Sequence, residues 1–188
     1  MSNYNEKIVK KLLEIAKKYK YLKKWQDVVL ECETKIMSKG VSIYGMFYPE
    51  KELNKYFPYR GRICKSDKIK DFEYFFDNLV RLRITHRCFE HSKKHIIYYN
   101  YLDDLIEIIW FNIDLGIVDN VGFIQYSNGQ LIKFVESIVF DNFEYIEDLN
   151  VSYKEYIFNT EGSNIIKKLY WPDYHGKPFE FVTTLGKL

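Results

Sequence analysis

The feature that most constrains the fold is an alternation of apolar and basic side chains that begins at Val80. Successive side chains of a strand point to opposite faces, so a period of two predicts a half-buried strand with one basic face. The inward positions are Leu82, Ile84, His86 and Cys88, and the alternate positions hold Arg81, Arg83, Thr85 and Arg87. Residues 91–94 are the predicted turn, and residues 95–99 are the predicted returning strand.

A second hairpin is predicted around Asn128-Gly129, within residues 121–135, because this dipeptide suits the two-residue turn between antiparallel strands. The alternative is a helix that begins at Gln130, since the following apolar residues also fit a period of 3.6. Further strands are predicted over residues 41–48, 151–158 and 179–184.

Helical periodicity dominates the first part of the chain. Apolar residues from Ile8 to Ile36 recur every three or four positions, which predicts a helix over residues 5–38, or two helices with a bend near Leu22. By cap residues and apolar spacing, shorter helices are predicted over residues 50–57, 66–79, 102–113 and 163–171. The predicted fold class is therefore α+β: an N-terminal long amphipathic helix or helix pair, followed by a mostly antiparallel sheet with packed helices. A length of 188 residues predicts a single domain over residues 1–188.

The predicted location is the cytoplasm. The first residues are polar and lack the apolar core of a secretory signal, and no apolar run reaches the roughly 20 residues that span a bilayer. The three cysteines follow no disulfide pattern, so reduced thiols are expected. A membrane partner is therefore not expected.

Charge is divided unevenly along the chain. Residues 1–95 carry 22 Lys and Arg against 12 Asp and Glu, whereas residues 96–161 carry two against 12. All five arginines lie within residues 60–95. Arginine presents a rigid fork of donors that suits carboxylates and phosphates. Two interpretations follow: the arginines form a recognition surface, or they bind the chain's own acidic half.

A group of possible metal ligands lies beside these arginines. Zinc takes three or four ligands of the His, Cys and carboxylate types. The group contains His86, Cys88, Glu90, His91 and His95, with Cys64 more distant in sequence. Its spacing matches no zinc motif, and His91 falls in the predicted turn, so no metal is predicted. A Cys–His nucleophile is also conceivable, but no motif typical of a catalytic nucleophile surrounds either cysteine.

No other catalytic signature is present. The carboxylates of residues 103–119 have ordinary helical spacing and lack the lysine that accompanies many metal-dependent nuclease sites. Gly122 and Gly129 form neither a dinucleotide-binding nor a P-loop pattern. We therefore predict a non-enzymatic protein that requires no cofactor.

The acidic half suggests a protein partner. Carboxylates attract a basic partner, and interleaved aromatic residues can provide buried contacts. Small cytoplasmic proteins that neutralise basic nuclease toxins often have this composition, so the leading hypothesis is an immunity-type inhibitor of a bacterial toxin. The predicted contact residues are Asp103, Asp104, Glu107, Glu136, Asp141, Phe143, Glu144, Tyr145, Glu147, Asp148, Tyr153, Glu155 and Tyr156. The alternative is a nucleic-acid-binding module that uses Arg81, Arg83, Arg87, Lys93 and Lys94.

Overall fold

A computed structural model of the chain describes residues 3–20, 25–40, 42–43, 61–65, 70–88, 95–138, 151–158, 165–174 and 177–185. The helices within these residues are α1 (Asn3–Tyr19) and α2 (Trp25–Leu30). The strands are β1 (Thr34–Lys39), β2 (Arg62–Ile63), β3 (Phe72–Phe76), β4 (Leu82–Arg87), β5 (His95–Tyr101), β6 (Leu105–Asn112), β7 (Ile117–Ser127), β8 (Gln130–Ser137), β9 (Tyr153–Phe158), β10 (Ile165–Tyr174) and β11 (Lys177–Leu185). The described part of the chain is therefore largely β.

The predicted α+β fold with helices packed on a sheet is wrong. Three of the predicted helices are strands instead, namely β3, β6 and β10. The predicted helix over residues 5–38 is also incorrect in its second half, because α1 ends at Tyr19, α2 is a single short helix and Thr34–Lys39 forms β1. The predicted helix over residues 50–57 lies outside the described residues.

The wrong helices have a physical explanation. Strand β3 has the sequence Phe-Glu-Tyr-Phe-Phe, and aromatic side chains favour pleated, half-buried surfaces. Strand β6 is a nearly continuous apolar run whose residues are buried on both faces. Such a run fits a buried strand as well as a helix, so periodicity alone does not distinguish them. Pairing with neighbouring strands decided the outcome.

The chain divides into two compact units. Unit 1 comprises Met1–Tyr21, Asn100–Ile109 and Val118–Leu188, and unit 2 comprises Leu22–Tyr99 and Trp110–Ile117. Strands β7 to β11 of unit 1 pair in sequence order, each antiparallel to the next. In unit 2 the order is β5-β4-β3-β1-β2, also antiparallel. The single domain predicted from chain length stays a prediction.

The amphipathic helix α1 forms part of the core of unit 1. Its predicted apolar stripe is confirmed, because Ile8, Leu12 and Ile15 are almost completely buried. The hairpin at Asn128-Gly129 is confirmed as well, since it connects β7 and β8. Both turn residues have positive φ angles, 52° and 74°, as a type I′ turn requires.

The core of unit 2 is organised around Tyr74 of β3. Its ring is fully buried and stacks on Phe72 with a centroid distance of 6.1 Å. Its hydroxyl lies 3.0 Å from both Ser38 Oγ and Ser42 Oγ, so the buried polar atom is satisfied. The predicted strand at residues 81–88 is confirmed as β4.

Membrane crossing by a helix is not a feature of the described residues. Neither helix there has the length and apolar character needed to span a bilayer.

Candidate functional site

The turn between β3 and β4 is held by one buried carboxylate, that of Asp77. Its Oδ1 accepts hydrogen bonds from the backbone N–H of Leu79 at 3.1 Å and of Arg81 at 2.9 Å. Its Oδ2 accepts from Arg81 Nε at 2.9 Å and lies 3.7 Å from Arg83 Nη1. Burial opposes ionisation, but the hydrogen bonds from Arg81 and Leu79 prevail and lower the pKa of Asp77. Asp77 therefore fixes the turn as an anion.

The same turn contains a strained residue, Val80, whose φ angle is +58°. A β-branched side chain in the left-handed region is a conformational outlier and costs on the order of 1–3 kcal/mol. The turn is closed by hydrogen bonds between Val80 N and Asp77 O at 2.9 Å and between Asp77 N and Arg81 O at 3.1 Å. This conformation leaves Leu79 64% and Val80 75% exposed. Strain is thus maintained in a turn that presents two apolar side chains to solvent.

A third exposed apolar residue lies at the same end of unit 2. Leu30, at the end of α2, is 84% exposed. The chain then reaches Glu33, whose N–H donates to Phe76 O at 2.9 Å immediately before the strained turn. Leu30, Leu79 and Val80 together are called the apolar edge below. The neighbouring carboxylates of Asp27, Glu31 and Glu33 are exposed, and we call them the acidic rim.

The arginines predicted to bind nucleic acid differ in their surroundings. Arg81 binds Asp77 through Nη2 at 2.8 Å. The side chain of Arg83 is only 19% exposed, and its Nη2 lies 3.4 Å from Tyr98 Oη. Arg87 is exposed, whereas Lys93 and Lys94 lie outside the described residues. The first two arginines therefore have carboxylate or aromatic contacts within their own unit.

Among the residues predicted to contact a partner, Glu107 is deeply buried. Its Oε2 accepts from Lys18 Nζ at 2.7 Å, from Tyr19 Oη at 2.8 Å and from Asn100 Nδ2 at 3.0 Å. Lys11 Nζ lies 3.8 Å from Oε1. Burial acts to raise the pKa of Glu107, but these donors, chiefly Lys18, lower it overall. In this conformation Glu107 stabilises unit 1 and is not accessible to a partner.

Several other predicted contact residues are also buried in unit 1. Glu155 is 1% exposed and lies 3.4 Å from Lys133 Nζ. Tyr153 and Tyr156 are buried, and burial, with a smaller effect of Glu136, raises the pKa of Tyr156 to about 12. Glu136 is half-buried, and burial raises its pKa too.

The remaining residues predicted to contact a partner are either exposed aspartates or residues outside the described part of the chain. Asp103 and Asp104 are exposed in the turn between β5 and β6, beside Leu102, which is 46% exposed. The predicted contact residues that lie outside the described part are Asp141, Phe143, Glu144, Tyr145, Glu147 and Asp148. Of the predicted partner surface, the described accessible part is therefore mainly Asp103 and Asp104.

The group of His and Cys residues is only partly assembled. His86 and Cys88 meet, with 3.5 Å between His86 Nδ1 and Cys88 Sγ, and they are joined by Glu73, which the sequence analysis missed. His95 lies opposite Arg87 in the neighbouring strand, and Cys64 follows β2, where its N–H donates to Met37 O. Glu90 and His91 lie outside the described residues.

This arrangement does not support a cysteine nucleophile. Glu73 Oε2 and Cys88 Sγ both approach the same nitrogen of His86, at 3.1 Å and 3.5 Å. A relay requires the carboxylate and the nucleophile at opposite nitrogens of the imidazole ring. Burial, together with Glu73, also raises the pKa of Cys88 to about 11, so the thiol stays protonated at neutral pH.

A small pocket in unit 1 combines basic and apolar side chains. Its volume is about 270 Å³, and it is lined by Lys7, Ile8, Lys11, Leu105, Phe123, Gln125 and Lys133. Two of the three lysines approach buried carboxylates, because Lys11 contacts Glu107 and Lys133 contacts Glu155. The pocket is therefore largely neutralised by the chain's own acidic residues.

Comparisons with known proteins identify no relative. No protein-family model, curated protein or solved structure matches this chain.

Proposed function

We propose that this protein is a non-enzymatic binding protein whose apolar edge docks on a basic protein partner. The observation that carries the proposal is the exposure of Leu79 and Val80 on a turn that is strained at Val80 and held by Asp77. Backbone strain is retained where the surrounding structure enforces it, and such places are often functional. A turn fixed before binding also loses little conformational entropy in the complex.

The apolar edge is suited to be the centre of an interface. Transferring an exposed Leu or Val side chain out of water contributes about 1.5–3 kcal/mol. Three such side chains, with exposures of 84%, 64% and 75%, offer apolar surface that a partner can remove from water. The exposed carboxylates of the acidic rim, Asp27, Glu31 and Glu33, lie close to Leu30 in the chain, and their negative charge favours a partner with a basic surface.

The partner class that we propose is the basic catalytic domain of a bacterial toxin that acts on nucleic acid. An enzyme that binds phosphates presents lysines and arginines, and the acidic rim complements them. The protein would then act in the cytoplasm as an immunity-type inhibitor. Asp103 and Asp104 are a separate candidate contact, because they are exposed beside an apolar residue.

The test uses purified catalytic domains of bacterial nuclease toxins, including any that is encoded beside this gene. Binding is measured by calorimetry with wild type and with Leu79→Asp and Leu30→Asp. Each substitution is expected to weaken binding at least about tenfold, because a charge replaces a buried apolar contact. The matched control is Leu115→Asp, since Leu115 is 60% exposed in unit 2 but lies on the turn between β6 and β7.

Two outcomes would contradict the proposal. If none of the toxin domains binds the wild-type protein, the immunity-type function is wrong. If a domain binds and Leu79→Asp behaves like Leu115→Asp, the apolar edge is not the interface. The rate of association should also fall as salt rises, because at 0.1 M salt the attraction between exposed charges more than about 10 Å apart is largely screened.

A further inference from the structure

Three side chains of unit 2 bring different ligand atoms together. Glu73 Oε2 lies 3.1 Å from His86 Nδ1 and 3.6 Å from Cys88 Sγ, and the His86 and Cys88 atoms are 3.5 Å apart. Glu73 is buried, and His86 and Cys88 are half-buried. A carboxylate oxygen, an imidazole nitrogen and a thiol sulfur are the three kinds of atom that bind zinc in proteins.

The backbone fixes these positions. Glu73 of β3 and His86 of β4 are directly opposite each other in the antiparallel register. Cys88 follows two residues after His86, so both side chains lie on the same face. The N–H of Cys88 donates to Asp71 O at 2.8 Å, which continues the pairing of the two strands beyond the end of β4. The group is therefore built by paired strands and not by a loop.

We propose that Glu73, His86 and Cys88 bind a divalent transition-metal ion of the zinc type through Oε2, Nδ1 and Sγ. Zinc bonds of about 2.0–2.3 Å at a tetrahedral angle place the ligand atoms about 3.3–3.7 Å apart. The observed separations of 3.1, 3.5 and 3.6 Å are close to these edges. Three protein ligands leave the fourth tetrahedral position for water or another donor.

The second carboxylate oxygen supports this orientation. Glu73 Oε1 accepts hydrogen bonds from Lys70 Nζ at 2.7 Å and from Lys35 Nζ at 3.3 Å. Donors to the far oxygen of a ligating carboxylate hold the near oxygen toward the metal. The two ammonium groups also repel a cation, so they weaken binding relative to a site without them. A thiolate ligand counters this repulsion, because binding the ion displaces the Cys88 proton to solvent and leaves a negative sulfur.

Without a metal, the same three atoms are within hydrogen-bonding distance of one another. The experiment must therefore distinguish metal binding from hydrogen bonding alone. The full chain, freed of metal by chelator and dialysed, is titrated with Co²⁺ alone. We expect one equivalent to bind with a sulfur-to-cobalt charge-transfer band and the strong visible absorption of a tetrahedral site. Zn²⁺ should displace the cobalt and abolish both signals.

Variants assign the ligands. Cys88→Ser should remove the charge-transfer band, whereas the matched control Cys64→Ser should retain it. Glu73→Gln and His86→Gln should each weaken Co²⁺ binding at least about tenfold, since even the loss of an outer partner has an effect of 10–100-fold. Circular dichroism of each metal-free variant establishes that it is folded.

The proposal is overturned if folded wild type shows no charge-transfer band on addition of Co²⁺. It is also overturned if Cys88→Ser retains the band, because the sulfur ligand would then be another cysteine. The toxin-binding proposal does not depend on either outcome, since the apolar edge contains none of the three ligands.

Discussion

Glu107 and Glu73 are both buried and both contacted by lysines, yet their surroundings differ. In unit 1, Oε2 of Glu107 accepts hydrogen bonds from a lysine ammonium, a tyrosine hydroxyl and a side-chain amide, and a second lysine lies near Oε1. In unit 2, the lysines contact only Oε1 of Glu73, whereas Oε2 meets an imidazole and a thiol. Buried carboxylates need compensation in both cases. The difference lies in what the second oxygen contacts.

This difference separates a structural carboxylate from a candidate ligand. The donors around Glu107 are an ammonium, a hydroxyl and an amide, which stabilise its charge but do not bind metals of the zinc type. Glu73 has two such donors on one oxygen and two metal-binding side chains on the other. The hydrogen bond with His86, followed by those from Lys70 and Lys35, outweighs burial and lowers the pKa of Glu73. Four experiments, in order of decreasing expected effect, test whether the two glutamates have these different roles.

The largest effect is expected from Glu107→Ala. Removing one partner of a buried charged network leaves the others unsatisfied, so the free energy of unfolding should fall by about 3 kcal/mol. Urea unfolding measures this loss. Glu14→Ala, at an exposed position of the same helix that provides Lys18, should change it by no more than about 0.5 kcal/mol. A loss below about 1 kcal/mol would show that Glu107 is not a structural carboxylate.

The next largest effect is the stabilisation of the folded chain by bound Zn²⁺. An ion that binds only the folded chain stabilises it by about 2.7 kcal/mol at 100 times its dissociation constant. Thermal or urea unfolding of wild type with Zn²⁺ should show this gain, and Glu107→Gln should show it too. Cys88→Ser should show none. Equal stabilisation of Cys88→Ser would place the ion elsewhere and remove the distinction between the two glutamates.

A smaller effect is expected from Tyr19→Phe. It deletes one buried hydrogen bond of 2.8 Å to Glu107, so the free energy of unfolding should fall by about 1 kcal/mol. The same change in a Glu107→Ala background should have almost no effect, because the acceptor is already absent. A double-mutant cycle measures the coupling. Additive losses would mean that the tyrosine hydroxyl and the glutamate act independently.

The smallest effect is expected in how the free energy of unfolding depends on pH. The pKa of Glu107 is lowered in the folded chain below its ordinary value of 4.5. Its contribution to stability is therefore complete at neutral pH and is lost as the pH falls below about 4.5 toward the folded-state pKa. Glu107→Gln should lose less stability than wild type over this acidic range. Parallel curves for the two proteins, measured by urea unfolding at each pH, would contradict the lowered pKa.

The sequence predicted part of the candidate metal site. Alternation placed His86 and Cys88 on one face of a strand, and they do approach each other. Glu73 was missed because Phe72 and Phe76 fit the period of a helix. A signal was present in the aromatic side chains of residues 72–76, which favour a strand. With β3 recognised as a strand, Glu73 becomes a candidate neighbour of His86, although the register still had to be known.

The apolar edge was not visible in the sequence in the same way. Nothing in the letters Asp77-Asn78-Leu79-Val80 signals a positive φ angle at a valine. The strain exists because Asp77 accepts hydrogen bonds from Leu79 and Arg81. The concentration of arginines was evident from the sequence, but the sequence did not reveal that Arg81 and Arg83 contact the carboxylate of Asp77.

Features that depend on neighbours a few residues apart could be predicted from the sequence. These are the apolar stripe of α1, the alternation of β4 and the turn at Asn128-Gly129. Which charged side chains contact each other could not be predicted in this way, because the partners are brought together by the folded chain. Lys18 and Glu107 are separated by 89 positions, and Glu73 and His86 by 13. Such pairs depend on strand pairing and register, which are set by burial of the whole chain and not by local periodicity.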